Sequence, residues 1–153
     1  MIDGQVFAEF VERVTMETYK ARHEFVCVGT LPAYVMNDVA VLALEPINNE
    51  IHISDHQLRH SLRDFKTQKG VALSIDTAKK LPHHLSHAQW FYDSNHNNIL
   101  AIFEMNVAEI VGKSVVVINF KKKKESLNVI VTSGIINPDH LRNERYREIK
   151  NTP

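Results

Sequence analysis

The chain has 153 residues, 44% of them hydrophobic and 24% charged, which suits one globular domain with a core and is too short for a multi-domain enzyme. Lys plus Arg number 18 and Asp plus Glu number 18, a balance that excludes a disordered tail or a uniformly basic coat protein, so any nucleic-acid site must be local. The single cysteine, Cys27, excludes an internal disulfide framework and a four-cysteine zinc site and points to a reducing compartment.

The longest fully apolar run, Val39 to Leu44, is far below the roughly 18 residues of a membrane span. The opening Met1-Ile2-Asp3-Gly4 lacks the layout of a signal peptide. The expectation is therefore a soluble intracellular protein, with no membrane partner. Neutrality hides an asymmetry: residues 1–50 carry a net charge of −5, and residues 51–153 carry +5 with eight of the nine histidines. The second part is where an anionic ligand would be sought.

From Asp3 to about Arg22, Phe7, Phe10, Val11 and Val14 recur at i, i+3, i+4 and i+7, which predicts an amphipathic helix capped by Asp3. Phe25 to Val28 reads as a strand or buried connector before Gly29 and Pro32, with Cys27 a packed thiol. Val39 to Leu44 is undecided between strand and helix. Ile51-His52-Ile53 alternates like a strand, and Ser54 with Gln57 forms a capping box, so a helix should begin at Asp55. A short helix is predicted to open at Asp76 and to be interrupted by Pro82. The rest turns to β: Trp90 to Tyr92, a turn from Asp93 to Asn98, Ile99 to Met105, a loop through Gly112, Ser114 to Phe120, the lysine run, and Leu127 to Thr132. Helices first and an antiparallel meander after give an α+β domain. From Pro138 the chain ends as a basic arm or short helix. Residues 1–24 are read as a docking element or part of the domain, and 25–153 as the domain itself.

The capped helix carries the most chemistry. A helix turns about 100° per residue, so with His56 at zero, Arg59 falls near 300°, His60 near 40° and Arg63 near 340°. Leu58, Leu62 and Phe65 lie opposite. Two imidazoles and two guanidiniums on one stripe outline an anion site, because Arg binds phosphate in bidentate fashion and His titrates near neutrality. The bland alternative is a solvated polar face. A zinc site is the competing reading, from His52, His56 and His60 or from His83, His84 and His87, but neither set has the Glu of an HExxH motif.

Lys121-Lys122-Lys123-Lys124 joins two strands and is either a solvated turn or a source of sequence-independent phosphate attraction. Thr132 and Ser133, at a strand end, can cap the turn or hydrogen-bond a phosphoryl oxygen. Arg142, Arg145 and Arg147 can clamp phosphate or pair with Glu144 and Glu148.

Ile51-His52-Ile53-Ser54-Asp55-His56-Gln57-Leu58-Arg59-His60 resembles the strand, Ser-initiated helix and helix-borne (K/R)H pair of the phage-borne branch of the barnase, colicin and RelE-like nuclease superfamily, often the last domain of phage head-morphogenesis proteins. The likeness continues through Leu81-Pro82, Trp90-Phe91-Tyr92, the Asp93 to Asn98 turn, the meander and Leu141-Arg142-Asn143, about residues 25–149. It implies a barnase/RelE-like four-stranded antiparallel sheet and metal-independent RNA cleavage by a toxin or effector, without a cofactor. His60 would then be acid or base, with His56 added from the helical wheel, Thr132 as the hydroxyl of the last strand and Arg145 or Arg142 as the phosphate clamp. Arg59, Arg63, Lys121, Lys122, Lys123 and Ser133 would hold substrate. RNA, tRNA included, is the expected partner, with an immunity protein or a phage head protein as a second. The sequence departs from barnase in offering no evident acidic general base, and helix 3–22 matches no motif of the family. The rival is a non-enzymatic phage module that docks through the apolar stripe of that helix.

Overall fold

Asp3 does cap the first helix: its carboxylate accepts the amides of Gln5 and Val6 at 2.9 and 3.3 Å, and α1 runs Gly4–Val14. It stops well before Arg22, where the apolar periodicity fails. The computed structural model describes residues 3–40, 44–62, 72–105 and 109–151. After α1 come β1 (Phe25–Thr30), α2 (Ala33–Ala40), β2 (Glu50–Ser54) and α3 (Asp55–Ser61). Then follow α4 (Ile75–Lys79), α5 (Leu81–Ser86), β3 (Gln89–Asp93), β4 (Asn98–Glu104), β5 (Val111–Lys122), β6 (Glu125–Ile136), a 3₁₀ turn (Pro138–Leu141) and β7 (Tyr146–Ile149).

The expected α+β domain with a four-stranded antiparallel sheet is corrected. The strands form one seven-stranded mixed sheet in the order β1-β2-β6-β5-β4-β3-β7. Strands β3 to β6 are antiparallel neighbours, but β2 lies parallel to β6 through Ile51↔Asn128 and His52↔Val129. That junction adds the antiparallel β1–β2 pair to one side, and β7 adds a strand beyond β3. Parallel partners need a long crossover, and here it runs through α3, α4, α5 and the three intervening strands, so no local sequence signal announces it.

The helix expected to be interrupted by Pro82 does end just before it, at Lys79, and Pro82 then stands in the first turn of a separate helix, α5, where its missing N–H costs nothing. The helix expected to open at Asp76 opens one residue earlier, at Ile75, with Ser74 capping it by accepting the Thr77 amide at 3.1 Å.

Helices α3 and α5 lie on one sheet face, α3 against β2 and β6 and α5 against β1 and β4, and α1 packs on α3, α4 and α5. Phe7, Phe10, Val11 and Val14 of α1 share a core with Ile51, Ile53, Leu58, Leu81, Leu85, Trp90 and Ile130. Each such side chain contributes about 1.5–3 kcal/mol when fully buried, so the apolar stripe of α1 is used inside the fold. No helix among the described residues is long and apolar enough to cross a membrane.

Candidate active site

Ser54 ends β2 and starts α3, its Oγ accepting the Gln57 amide at 3.1 Å. Leu58 points into the core, so the opposite stripe of α3 faces outward. There His56, Arg59 and His60 line a cleft of 780 Å³ with Val14, Met16, Glu17, Ala21, Leu73 and Ile75. The basic side chains come from α3, and the end of α1 and the start of α4 supply a mixed lining, apolar at Val14, Met16, Leu73 and Ile75 and polar at Thr15, Glu17 and Ser74. Arg63 and Phe65 lie outside the described residues.

Arg59 is held in place on its inner side. Its Nη1 donates to the Tyr19 carbonyl at 3.1 Å, and its guanidinium carbon stands 5.7 Å from the Tyr19 ring centre, in cation–π range. No carboxylate pairs with it among the described residues. Glu17 lines the same cleft, an acid that the helix expected to reach Arg22 would have carried and that instead follows α1 in an irregular turn.

Beneath the cleft, Asp55 is wholly buried. Its carboxylate accepts the Tyr19 hydroxyl and the amides of Arg22, Glu24 and His56, the last three at 2.8, 3.2 and 2.7 Å. Burial alone would push Asp55 up, but these four donors outweigh it and hold the carboxyl below its ordinary range. The segment 19–24 is thereby tied across the start of α3. At its bend His23 has φ 55°, and its ring centre lies 6.1 Å from that of His56. Sequence reading missed both His23 and Asp55. The capping box marked the helix start, but nothing local showed that its first carboxylate would bind a segment more than thirty residues earlier.

The other expected site residues do not join this cleft. Thr132 and Ser133 do not line it among the described residues. A bulge in β6 sets Thr132 opposite Val115, whose neighbours Ser114 and Val116 turn into the core, whereas Ser133 is buried and bonded to Ser114 at 2.8 Å between hydroxyl oxygens. Lys121 and Lys122 end β5 and Lys123 begins its turn with φ 56°. Lys122 Nζ stands 4.3 Å from the Phe25 ring centre. Arg142 is exposed and pairs with Asp139 at 3.6 Å. Arg145 sits at the β3–β7 side of the sheet, where its guanidinium bonds Asp93 twice, at 2.9 and 2.8 Å.

The histidine sets of the zinc reading separate. His52 alternates with the core residues Ile51 and Ile53 and so faces away from α3, and burial lowers its pKa. His83, His84 and His87 line a second cleft of 780 Å³ with Lys80 and Glu104, where His84 stacks on Phe103 at 4.8 Å between ring centres. Among the described residues no three His, Cys, Asp or Glu side chains converge as a metal site would need. Burial pushes the Cys27 thiol up, which suits a packed thiol rather than a nucleophile. The chain matches no protein-family model, no curated protein and no solved structure.

Proposed function

We propose that the cleft beside α3 binds and cleaves RNA without a metal ion, as a phage-type ribonuclease toxin or effector. The observation that carries this reading is the convergence of His56, His60 and Arg59 on one cleft. Arg59 would hold a phosphodiester oxygen, its geometry fixed beforehand by Tyr19. One imidazole would take the proton of the ribose 2′-hydroxyl as that oxygen attacks phosphorus. A protonated group would donate to the departing 5′-oxygen as the P–O5′ bond breaks, leaving a cyclic phosphate and a free hydroxyl. The apolar side chains of Met16, Leu73 and Ile75 give a base a surface to rest on. Thr132, Arg145 and Arg142 are given no role in this scheme. The apolar stripe of α1, on which the docking-module alternative rested, is buried in the core.

The test is incubation of the protein with total tRNA and with mixed RNA in EDTA, wild type beside His60→Ala and His56→Ala. Wild type is expected to cleave and each variant to lose rate, by about 10²–10⁴-fold where the histidine removed is the general acid or base. Equal cleavage by all three, or none by wild type, would overturn the assignment.

A further inference from the structure

His23 was not part of any sequence motif, yet the fold spends a buried carboxylate on placing it. Asp55 receives no Lys or Arg side chain among the described residues; all four of its donors are the Tyr19 hydroxyl and main-chain amides around the bend at 19–24 and the start of α3. A buried carboxylate is costly unless fully hydrogen-bonded, and one that is so bonded fixes what it binds. What it fixes is the left-handed conformation of His23, uncommon for a residue with a side chain and a form of strain that clusters at functional sites. The result is an exposed imidazole beside the exposed His56, which itself lines the cleft that contains Arg59.

We infer that His23 and His56 are the proton-transfer pair of the cleavage proposed above, on which this inference rests, with Asp55 as the positioning residue. At 6.1 Å between centres the rings do not bond each other. Two N–H···O contacts of about 2.8 Å, to different oxygens of one phosphoryl group, suit that spacing. In the reaction one imidazole, neutral, accepts the 2′-hydroxyl proton while the other, protonated, gives its proton to the 5′-oxygen. The product therefore leaves the two rings with their protonation states exchanged, and solvent restores them. The charged groups around the pair are Asp55 below, Arg59 and His60 on α3, Glu17 after α1, and, flanking His23 in the chain, Arg22 and Glu24, the latter 3.5 Å from Arg13.

The experiment measures kcat and KM for RNA against pH for wild type, His23→Ala, Asp55→Asn and Tyr19→Phe. In parallel, the imidazole Cε1–H signals are followed by NMR as a 2′-deoxydinucleotide, which cannot form the cyclic phosphate, is added. His23→Ala is expected to lower kcat by about 10²–10⁴-fold and to remove one limb of the bell-shaped profile, with its thermal midpoint close to wild type. Tyr19→Phe removes one of the four donors and should lower kcat more than it raises KM; it serves where Asp55→Asn does not fold. The His23 and His56 signals should shift together on titration. Cleavage with an unchanged profile in His23→Ala would overturn this pairing and leave the proposed function standing. Absence of cleavage by wild type would overturn both, and a deoxydinucleotide that moves His56 without His23 would overturn the pairing whatever the activity.

Discussion

Arg145 shows how a single residue changes meaning once its partners are known. The cluster of arginines near the end of the chain suggested a phosphate clamp, but the guanidinium is engaged twice by Asp93, whose residue is 3% exposed. Burial would push Asp93 up. The two bonds from Arg145, the Asn95 amide and His96 outweigh it and bring the carboxyl down to about 2 from 3.8. A depressed acid stabilises the folded state above its unfolded pKa and loses that contribution as pH falls through the folded value. The difference between 3.8 and about 2 corresponds to about 2 kcal/mol, present at neutral pH and lost progressively between about pH 4 and pH 2. Asp93→Asn should therefore lower stability by about that amount at pH 7. Its denaturant midpoint should also lose most of the wild-type decline between pH 4 and pH 2; an unaltered acid decline would place the titrating group elsewhere. The proposed cleavage of RNA should be little changed, since this pair stands at the β3–β7 side of the sheet and lines no part of the cleft.

Elements were most legible where one side chain settles the local backbone. Asp3 and Ser54 each cap a helix where a capping residue precedes an apolar period, and the His56, Arg59, His60 stripe on α3 follows from helical geometry once Leu58 is turned inward. Legibility failed where an element is defined by its neighbours. Gly112 read as part of a loop, yet it lies inside β5 opposite Phe103, because a glycine in a strand also marks a close approach by another group. A Cβ added there would come under 3.0 Å from Cε2, Cζ and Cδ2 of the Phe103 ring, and the stacked imidazole of His84 limits where that ring can go. Gly112→Ala should accordingly destabilise by about 3 kcal/mol, at the upper end of ordinary overpacking. Gly112→Ala combined with Phe103→Leu should recover part of that loss. A thermal midpoint unchanged by Gly112→Ala would show that the ring has room to move. β7 was hidden for a related reason: Tyr146-Arg147-Glu148-Ile149 has too few apolar residues to declare a strand, and its pairing with β3 is what makes it one.

At the scale of the molecule, the decisive contact is the one that no local pattern encodes. The β1–β2 pair joins the other five strands through two parallel register pairs, Ile51↔Asn128 and His52↔Val129. Asn128 reinforces that short ladder with its side chain. It is 1% exposed, and its Nδ2 donates to the carbonyls of Asn48 and Glu50 at 2.8 and 2.9 Å, while its Oδ1 accepts the Asn119 amide at 3.2 Å. Three main-chain groups from two separate segments thus depend on one amide. Asn119 itself sits at φ 56° in the irregular stretch of β5 and reaches Glu45 and Ile47, so the β2 approach, β6 and β5 are joined at one point. Replacing Asn128 with leucine keeps the volume but leaves three part-buried main-chain groups short of a partner, each at a cost of about 1 kcal/mol or more. Asn128→Leu should therefore cost at least about 3 kcal/mol, and the loss should be felt first between the two parts of the sheet. Native-state hydrogen exchange offers the test: amides of β1 and β2 should gain exchange at denaturant concentrations where those of β3, β4 and β5 stay protected. Because α3 begins where β2 ends, the same variant should loosen the His56, Arg59, His60 cleft and lower the proposed RNA cleavage before the far strands unfold. Uniform exchange across all seven strands would instead show a sheet that opens as one unit, with the parallel junction no weaker than its neighbours.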